Sequence, residues 1–349
     1  LDESIFMKPL STRDSIPGKA KSTIYGVASH AGVSISTVSR FLNSPEKVNA
    51  ETAGRIRSSI DQLDYFPHGH TGMRAYRSIG RIGVLTPFFP APSFVQRLRG
   101  MTGVLRDAQC EMVVCAVDSP EQLAEYLHSI SFLCRFDGLI IMSMHVGNED
   151  ARRLLERNFH VVMIESVNHH FTCVEADNVL GGRLAAQCFL EKGYRPCAFI
   201  GEQPSLPYSL QPNDLRLAGY REALQAASHP LGPELIRMGQ VSVDDACRMA
   251  GELLDLPAPP RAIFAMSDLQ AIGVLKAARQ RGIAVPGALA VMGFDDIEAA
   301  GFMDLSTVSQ SLEESGRVAA QLLLDRIREP GRPLQRVHLD VRVVERDTT

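Results

Sequence analysis

The stretch Thr23-Ile-Tyr-Gly-Val-Ala-Ser-His-Ala-Gly32-Val-Ser-Ile-Ser-Thr-Val-Ser-Arg40-Phe-Leu-Asn43 decides how the amino end folds. Thr23 can cap a first helix with inner face Val27, Ala28 and Ala31, because a hydroxyl just ahead of a helix satisfies one of its orphan N–H groups. Gly32 breaks that helix where a side chain would be penalised at positive φ. Ser34 can cap a second helix, with Ile35, Val38, Phe41 and Leu42 at helical spacing and Asn43-Ser44-Pro45 ending it. Ala28 is small where two helices must cross closely, and Val33 and Val38 hold the crossing angle, as in a helix-turn-helix. Asn49 caps a third helix, with Ile56, Ile60 and Leu63 spaced i, i+4, i+7, that stops near Tyr65-Phe66-Pro67.

A helix-turn-helix presents its second helix to the DNA major groove N-terminus first. Ser34, Ile35, Ser36, Thr37, Ser39 and Arg40 would then face outward. Arg40 can fork onto a guanine edge, Ile35 can meet a thymine methyl, and the hydroxyls can bond bases or phosphates. Thr23, Tyr25 and Asn43 flank that face and complete the candidate contacts of the headpiece. A short Ser/Thr-rich helix with one Arg could also be a solvated face. The whole ordered string, not any one residue, favours DNA.

Charge supports the same division. The 349-residue chain carries a net charge of -4, but Lys19 to Arg81 holds nine Lys/Arg against four Asp/Glu, a local +5. Ile82 to Thr349 holds 25 against 33, a local -8. A basic head on an acidic body places phosphate contacts at one end only. At 45% apolar and 22% charged residues the composition is that of a soluble globular protein. Its length suits a small domain plus a two-lobed core. The seven cysteines, 110, 115, 134, 173, 188, 197 and 247, are scattered and form no C-x-x-C, so they read as reduced cytoplasmic thiols rather than disulfides or zinc ligands. No cofactor or metal is expected. No apolar run approaches the roughly 18 residues of a membrane span, and residues 1–21 are too polar for a secretory core. Those residues read as a vector scar or a disordered tail.

Beyond Ile79 apolar strands alternate with amphipathic helices. Candidate strands are Ile82 to Leu85, Met112 to Ala116, Leu139 to Ser143, Val161 to Glu165, Ala198 to Gly201, Ala262 to Ala265 and Leu289 to Gly293. Helical stretches such as Phe94 to Gln109, Val179 to Lys192, Leu215 to Ala226, Val243 to Leu254 and Asp268 to Arg281 lie between them. Continuous apolar strands imply burial on both faces, hence parallel, doubly wound sheets. A ligand would lie at the carboxyl ends of the strands, between two lobes. Glu165 and Asp295 each end an apolar strand, where a carboxylate needs water or a ligand. Arg216 offers a five-donor fork for a sugar oxygen, a carboxylate or a phosphate. For each of the three alone, a structural ion pair explains the residue as well.

Val27-Ala28, Ala31-Gly32-Val33-Ser34, Thr37-Val38-Ser39-Arg40 and Leu42-Asn43 resemble the headpiece signature of the lactose/galactose repressor family. Tyr65-x-Pro67, Gly138-Leu-Ile-Ile141, Asp177-Asn178, Arg216-Leu-Ala-Gly-Tyr220, Ser267-Asp268 and Val291-Met-Gly-Phe-Asp-Asp296 extend the resemblance over nearly the whole chain from Thr23. It implies an α/β fold: an N-terminal all-α helix-turn-helix headpiece plus a two-lobed periplasmic-binding-protein-like core with doubly wound parallel sheets. The implied division is a tail over 1–21, a headpiece over 22–67, a hinge over 68–80 and a core over 81–349. Within the core, one lobe takes 81–178 plus 311–338 and the other 179–310 plus 339–349.

The resemblance further implies a homodimer, or a higher assembly, reading a near-palindromic operator. Its hinge becomes a minor-groove helix that usually wedges a Leu into a base step. Here Arg74 takes that place, next to Met73. Met73 could wedge, or Arg74 could enter a narrow minor groove instead, while Gly69 and Gly72 weaken the helix by up to about 1 kcal/mol each. A small sugar-like effector would meet Pro92, Phe94, Met142, Ser143, Glu165, Arg216, Ser267, Asp295 and Gln310. With no Trp in the chain, ring stacking falls to Phe88, Phe89 or Phe94. The rival readings are an enzyme or an exported solute-binding protein on the same α/β core. The sequence holds no Gly-rich phosphate loop, zinc spacing or nucleophile elbow. Nothing in residues 1–21 reads as an export signal.

Overall fold

The computed structural model describes residues 23–63, 65, 80–133, 136–166, 168–203 and 212–349. The tail and the hinge up to residue 79, with Gly69, Gly72, Met73 and Arg74, lie outside the described residues. The chain divides into two compact units, Leu1–Ser78 and Ile79–Thr349.

The first unit holds helices α1 (Ile24–Ala31), α2 (Ile35–Asn43) and α3 (Ala50–Gln62). Each begins at a hydrogen-bonded cap: Gly26 N donates to Thr23 Oγ1 at 3.3 Å, Thr37 N to Ser34 Oγ at 3.1 Å and Thr52 N to Asn49 Oδ1 at 2.8 Å. Gly32, at φ 64°, makes the turn between α1 and α2 in the left-handed region that favours glycine. Val27, Ala28, Ala31, Val38, Phe41, Ile56, Ile60 and Tyr65 are buried and form the core of this small unit. One polar strut joins them, as His30 Nδ1 and Ser59 Oγ lie 3.0 Å apart and Ser59 donates on to Arg55 O.

In the second unit the elements run β1 (Gly80–Thr86), α4 (Pro92–Asp107), β2 (Cys110–Ala116), α5 (Pro120–Leu133), β3 (Gly138–Met142), α6 (Asn148–Glu156), β4 (Val161–Ile164) and β5 (Thr172–Ala176). They continue as α7 (Asn178–Glu191), β6 (Cys197–Glu202), α8 (Asn213–Ala226), β7 (Ile236–Gly239), α9 (Val243–Leu254), β8 (Ala262–Ala265) and α10 (Asp268–Gln280). Last come β9 (Ala290–Asp295), α11 (Glu298–Phe302), β10 (Ser306–Ser309), α12 (Leu312–Arg328), β11 (Arg336–Leu339) and β12 (Arg342–Val344). Two six-stranded sheets result, in the orders β11-β5-β4-β3-β1-β2 and β12-β10-β9-β8-β6-β7. Every pairing is parallel except β10 with β12, so the expected all-parallel pattern is corrected at one edge. That edge is closed by the last strand of the chain, which returns antiparallel.

The two lobes share a packing device. In the first, α4 crosses α12 where a Cβ on Gly100 would lie 1.9 Å from Glu313 O and one on Gly316 1.9 Å from Arg97 O. In the second, α7 crosses α8 where a Cβ on Gly182 would lie 1.9 Å from Arg216 O and one on Gly219 1.9 Å from Val179 O. Only glycine permits helix backbones to approach this closely. Both crossings therefore fix an arginine, Arg97 or Arg216, beside its sheet.

Candidate functional site

On the headpiece, the inner side of α2 is buried through Val38 and Phe41, while Ser34, Ile35, Ser36 and Arg40 are exposed, Ile35 by 41%. Thr37 and Ser39 are half-buried at the margin of that face. Thr23 is exposed at the start of α1, with Tyr25 69% exposed beside it, and Asn43 is the last residue of α2. Ser34 Oγ also lies 2.7 Å from Ser36 Oγ and 2.8 Å from Thr37 Oγ1. The hydroxyls are thus organised around the cap, and Arg40 remains as the long cationic side chain of this surface.

In the core, the carboxyl ends of both sheets border a cavity of about 350 Å³, at the small end of the range for small-molecule sites. Phe94, Ser143, Glu165, Arg216, Ser267, Asp295 and Gln310 all line it. Four lining residues hold left-handed backbone that side chains disfavour: Phe88 (φ 53°), Ser143 (φ 50°), Glu165 (φ 54°) and Asp295 (φ 117°). Strained residues of this kind persist where the surrounding structure dictates them, and they gather at binding sites. Ser143 and Glu165 follow β3 and β4 directly, so these strands stop one residue before the expected ends.

Two expected contacts are corrected. Met142 is fully buried among Ile82, Val84, Ile140 and Ile164, because the last residue of β3 points into the packed face of the sheet and only Ser143 turns toward the cavity. Pro92 is exposed at the first turn of α4, where its ring suits the helix start, and Ser93 and Phe94 line the cavity instead. Ser267 also has a structural task, as its Oγ caps α10 by accepting from Gln270 N at 3.3 Å.

A polar chain crosses the cavity between the lobes. Arg97 Nη2 donates to Gln310 Oε1 at 3.0 Å, and Gln310 Nε2 donates to Asp295 Oδ1 at 2.5 Å. Arg97 also lies 3.6 Å from Glu165, whose oxygens accept from Ala176 N and Asn178 Nδ2 at 3.1 and 3.3 Å. Arg216 donates from Nε to Asn178 Oδ1 at 2.9 Å and from Nη1 to Met266 O at 2.5 Å, and approaches Asp295 at 3.9 Å. Its guanidinium carbon stands 3.6 Å from the Phe294 ring centroid, a cation–π contact.

Burial raises the pKa of Asp295 above the usual carboxylate range, opposed by Arg216 and Arg97. Burial likewise pushes Arg216 down, countered by Asp295 and Glu165. The ring wall is built by Phe88 and Phe94, with centroids 5.9 Å apart, and by Phe89.

The sequence reading missed Arg97 and Glu202. Arg97 falls three residues after Phe94 and four before Met101, on the apolar stripe of α4, and a charge on such a stripe is the signal that could have found it. Glu202 ends the apolar strand β6 in the manner of Glu165 and Asp295.

An exposed helix-turn-helix face and an interlobe cavity in one chain define a ligand-sensing DNA-binding regulator. Residues 23–68 match the model for bacterial regulatory proteins of the lacI family, and residues 186–349 match a periplasmic binding protein-like domain. The chain is 29% identical over 330 residues to the ribose operon repressor of Escherichia coli (strain K12), covering 93% of this chain and 98% of that one. A cellobiose complex of the transcriptional regulator CelR matches at 27% identity with a TM-score of 0.68, covering 94% and 100%. A lacI-family regulator from Enterococcus faecium with bound ribose matches at 26% identity with a TM-score of 0.67, covering 77% and 98%. Residues 23–68 carry the lacI-family helix-turn-helix, and over nearly its whole length the chain is similar to repressors of that family.

Proposed function

We propose that this chain is a ligand-responsive transcriptional repressor that binds a near-palindromic operator as a homodimer and senses a small hydroxylated metabolite between its lobes. The observation that carries the reading is α2, with Val38 and Phe41 inward and Ser34, Ile35, Ser36 and Arg40 outward. The relatives support it, one being named for a ribose operon and two being described with cellobiose or ribose bound. The division into headpiece 22–67, hinge 68–80 and core 81–349 is part of the proposal, as is a cytoplasmic location beside the DNA. Pairing has a reason on the core surface: Phe302 is 90% exposed with Met303 next to it, an apolar spot that a second subunit would cover.

Mechanistically, closure of the lobes around a ligand engages Arg97 and Glu165 from one side and Arg216 and Asp295 from the other. Differential binding of that ligand to the two lobe arrangements then biases operator affinity by linkage. Footprinting of the full chain on genomic fragments, repeated at several salt concentrations, tests this reading. A protected, two-fold-related site with salt-dependent affinity is expected. Absence of sequence-selective protection in every ligand state would overturn it.

A further inference from the structure

Three carboxylates, Glu165, Glu202 and Asp295, and two guanidiniums, Arg97 and Arg216, line the cavity. Glu165, Asp295 and Arg216 are committed to the hydrogen bonds described above. Two other groups stand apart from that network. Arg97 Nε is buried without a hydrogen-bond partner. Glu202 is only 9% exposed, and its carboxylate accepts no hydrogen bond and has no cation within 4 Å among the described residues. Its own backbone is fixed, since Glu202 N donates to Asn213 Oδ1 at 3.0 Å. A rigid strand end therefore brings a carboxylate without a protein partner among the described residues to the cavity from the second lobe, and the first lobe brings the unpaired Arg97 Nε to the same cavity.

An anionic ligand could satisfy Arg97 Nε but would add a fourth negative charge to the cavity and leave Glu202 unpaired, which is costly in a desolvated site. A hydroxyl donates and accepts, so a polyhydroxyl ligand can satisfy both groups at once. Two donors of the Arg216 fork, offered to a sugar acid on sequence grounds, are taken by Asn178 and Met266, and Asp295 stands 3.9 Å from Nη1, so a second carboxylate there would meet like charge. We propose that Glu202 determines the specificity of this site, which accepts ligands that present hydrogen-bond donors, as hydroxyls or an ammonium group, and rejects sugar acids and sugar phosphates. Burial holds Glu202 above the usual carboxylate range against the pull of Arg216, in keeping with a carboxylate that lacks a donor.

The inference rests on the effector-binding half of the proposed function, and its test separates the two. A deproteinised metabolite extract is split by ion exchange into anionic, neutral and cationic pools, and each pool is added to the full chain in thermal-shift and native mass measurements. D-ribose, ribose 5-phosphate and D-glucosamine serve as defined probes. The neutral or the cationic pool should raise Tm, and the bound mass should identify a hydroxyl or an amine compound. Glu202→Gln should weaken that compound about 10-fold if neutral and about 100-fold if cationic, the range for losing a charge-assisted hydrogen bond or a buried ion pair.

Without ligand, Glu202→Gln should melt at or above the wild type, because a buried unpaired charge is removed. A Tm rise with the anionic pool or with ribose 5-phosphate, unchanged affinity in the variant, or a variant that melts several degrees lower would each overturn the assignment. Silence of all three pools, with operator binding intact, would remove effector sensing and this inference with it. Loss of operator binding as well would remove the regulator reading itself.

Discussion

Arg97 in the first lobe and Arg216 in the second reach the cavity from equivalent positions, each on a helix whose carbonyl at that residue touches a glycine of the crossing helix. Their surroundings then differ. Arg216 donates to Asn178 and Met266 O and lies against the Phe294 face, all within its own lobe. Arg97 makes one hydrogen bond, to Gln310, lies 3.6 Å from Glu165 and 5.7 Å from the Phe94 ring centroid, and leaves Nε unpaired. The second lobe thus uses its cation as a pillar of its own strand ends. The first uses its cation to reach across to the other lobe, with a donor to spare. Equal placement with unequal satisfaction is what a clamp requires, one jaw fixed and the other completed by its ligand.

The largest expected effect tests that contrast directly. Arg216→Met should cost about 3 to 5 kcal/mol in chemical denaturation, because Asp295 loses its nearest cation while Asn178 Oδ1 and Met266 O both lose their buried donor. Arg97→Met should cost less, about 1.5 to 3 kcal/mol, because Glu165 loses its nearest cation but keeps the hydrogen bonds from Ala176 N and Asn178 Nδ2. Equal losses would break the distinction between pillar and clamp. Gly182→Ala and Gly316→Ala should each cost about 1 to 3 kcal/mol, since helices in contact must separate. Similar values in the two lobes would sharpen the equivalence of the crossings, and a neutral result in either would deny it.

The headpiece is a contrasting region, where binding to DNA rather than packing is at stake. Arg40→Ala should weaken specific operator binding by about 1 to 3 kcal/mol and relax the preference at one base position, as read by anisotropy on single-base operator variants. An unchanged preference would take Arg40 out of the readout. The smallest effect is expected at Gly54, an exposed position within α3 where an added Cβ meets nothing within 4 Å. Gly54→Ala should stabilise that helix by about 0.5 to 1 kcal/mol, visible as slower amide exchange in α3 of the full chain.

Legibility followed the range of the signals. The caps Thr23, Ser34 and Asn49 and the Gly32 turn act over three or four residues, and the structure forms each of them. The apolar runs that became β1, β3, β8 and β9 were equally plain, being buried on both faces. Strands β11 (Arg336–Leu339) and β12 (Arg342–Val344) were not, because edge strands alternate polar and apolar residues and take their identity from a partner far away in sequence. Helix α12 (Leu312–Arg328) was overlooked although its start is acidic and its inner face is apolar.

At the site, Glu165, Asp295 and Arg216 stood out as charges at strand ends or in a family motif. Arg97 was hidden among the other arginines of Gln96-Arg-Leu-Arg99. Met142 was misassigned because a one-residue error in where β3 ends exchanges a wall residue for a core residue.

In the proposed regulator, occupancy of the interlobe cavity alters DNA affinity. Anisotropy titration of a labelled operator fragment, chosen by footprinting, with the full chain in the presence and absence of the pool that raises Tm tests it most directly. The binding midpoint should move by about 5- to 150-fold, the usual span of allosteric coupling, and the shift should disappear in Glu202→Gln at the same pool concentration. Superimposable titrations, at a concentration where the cavity is saturated by the thermal-shift criterion, would contradict it.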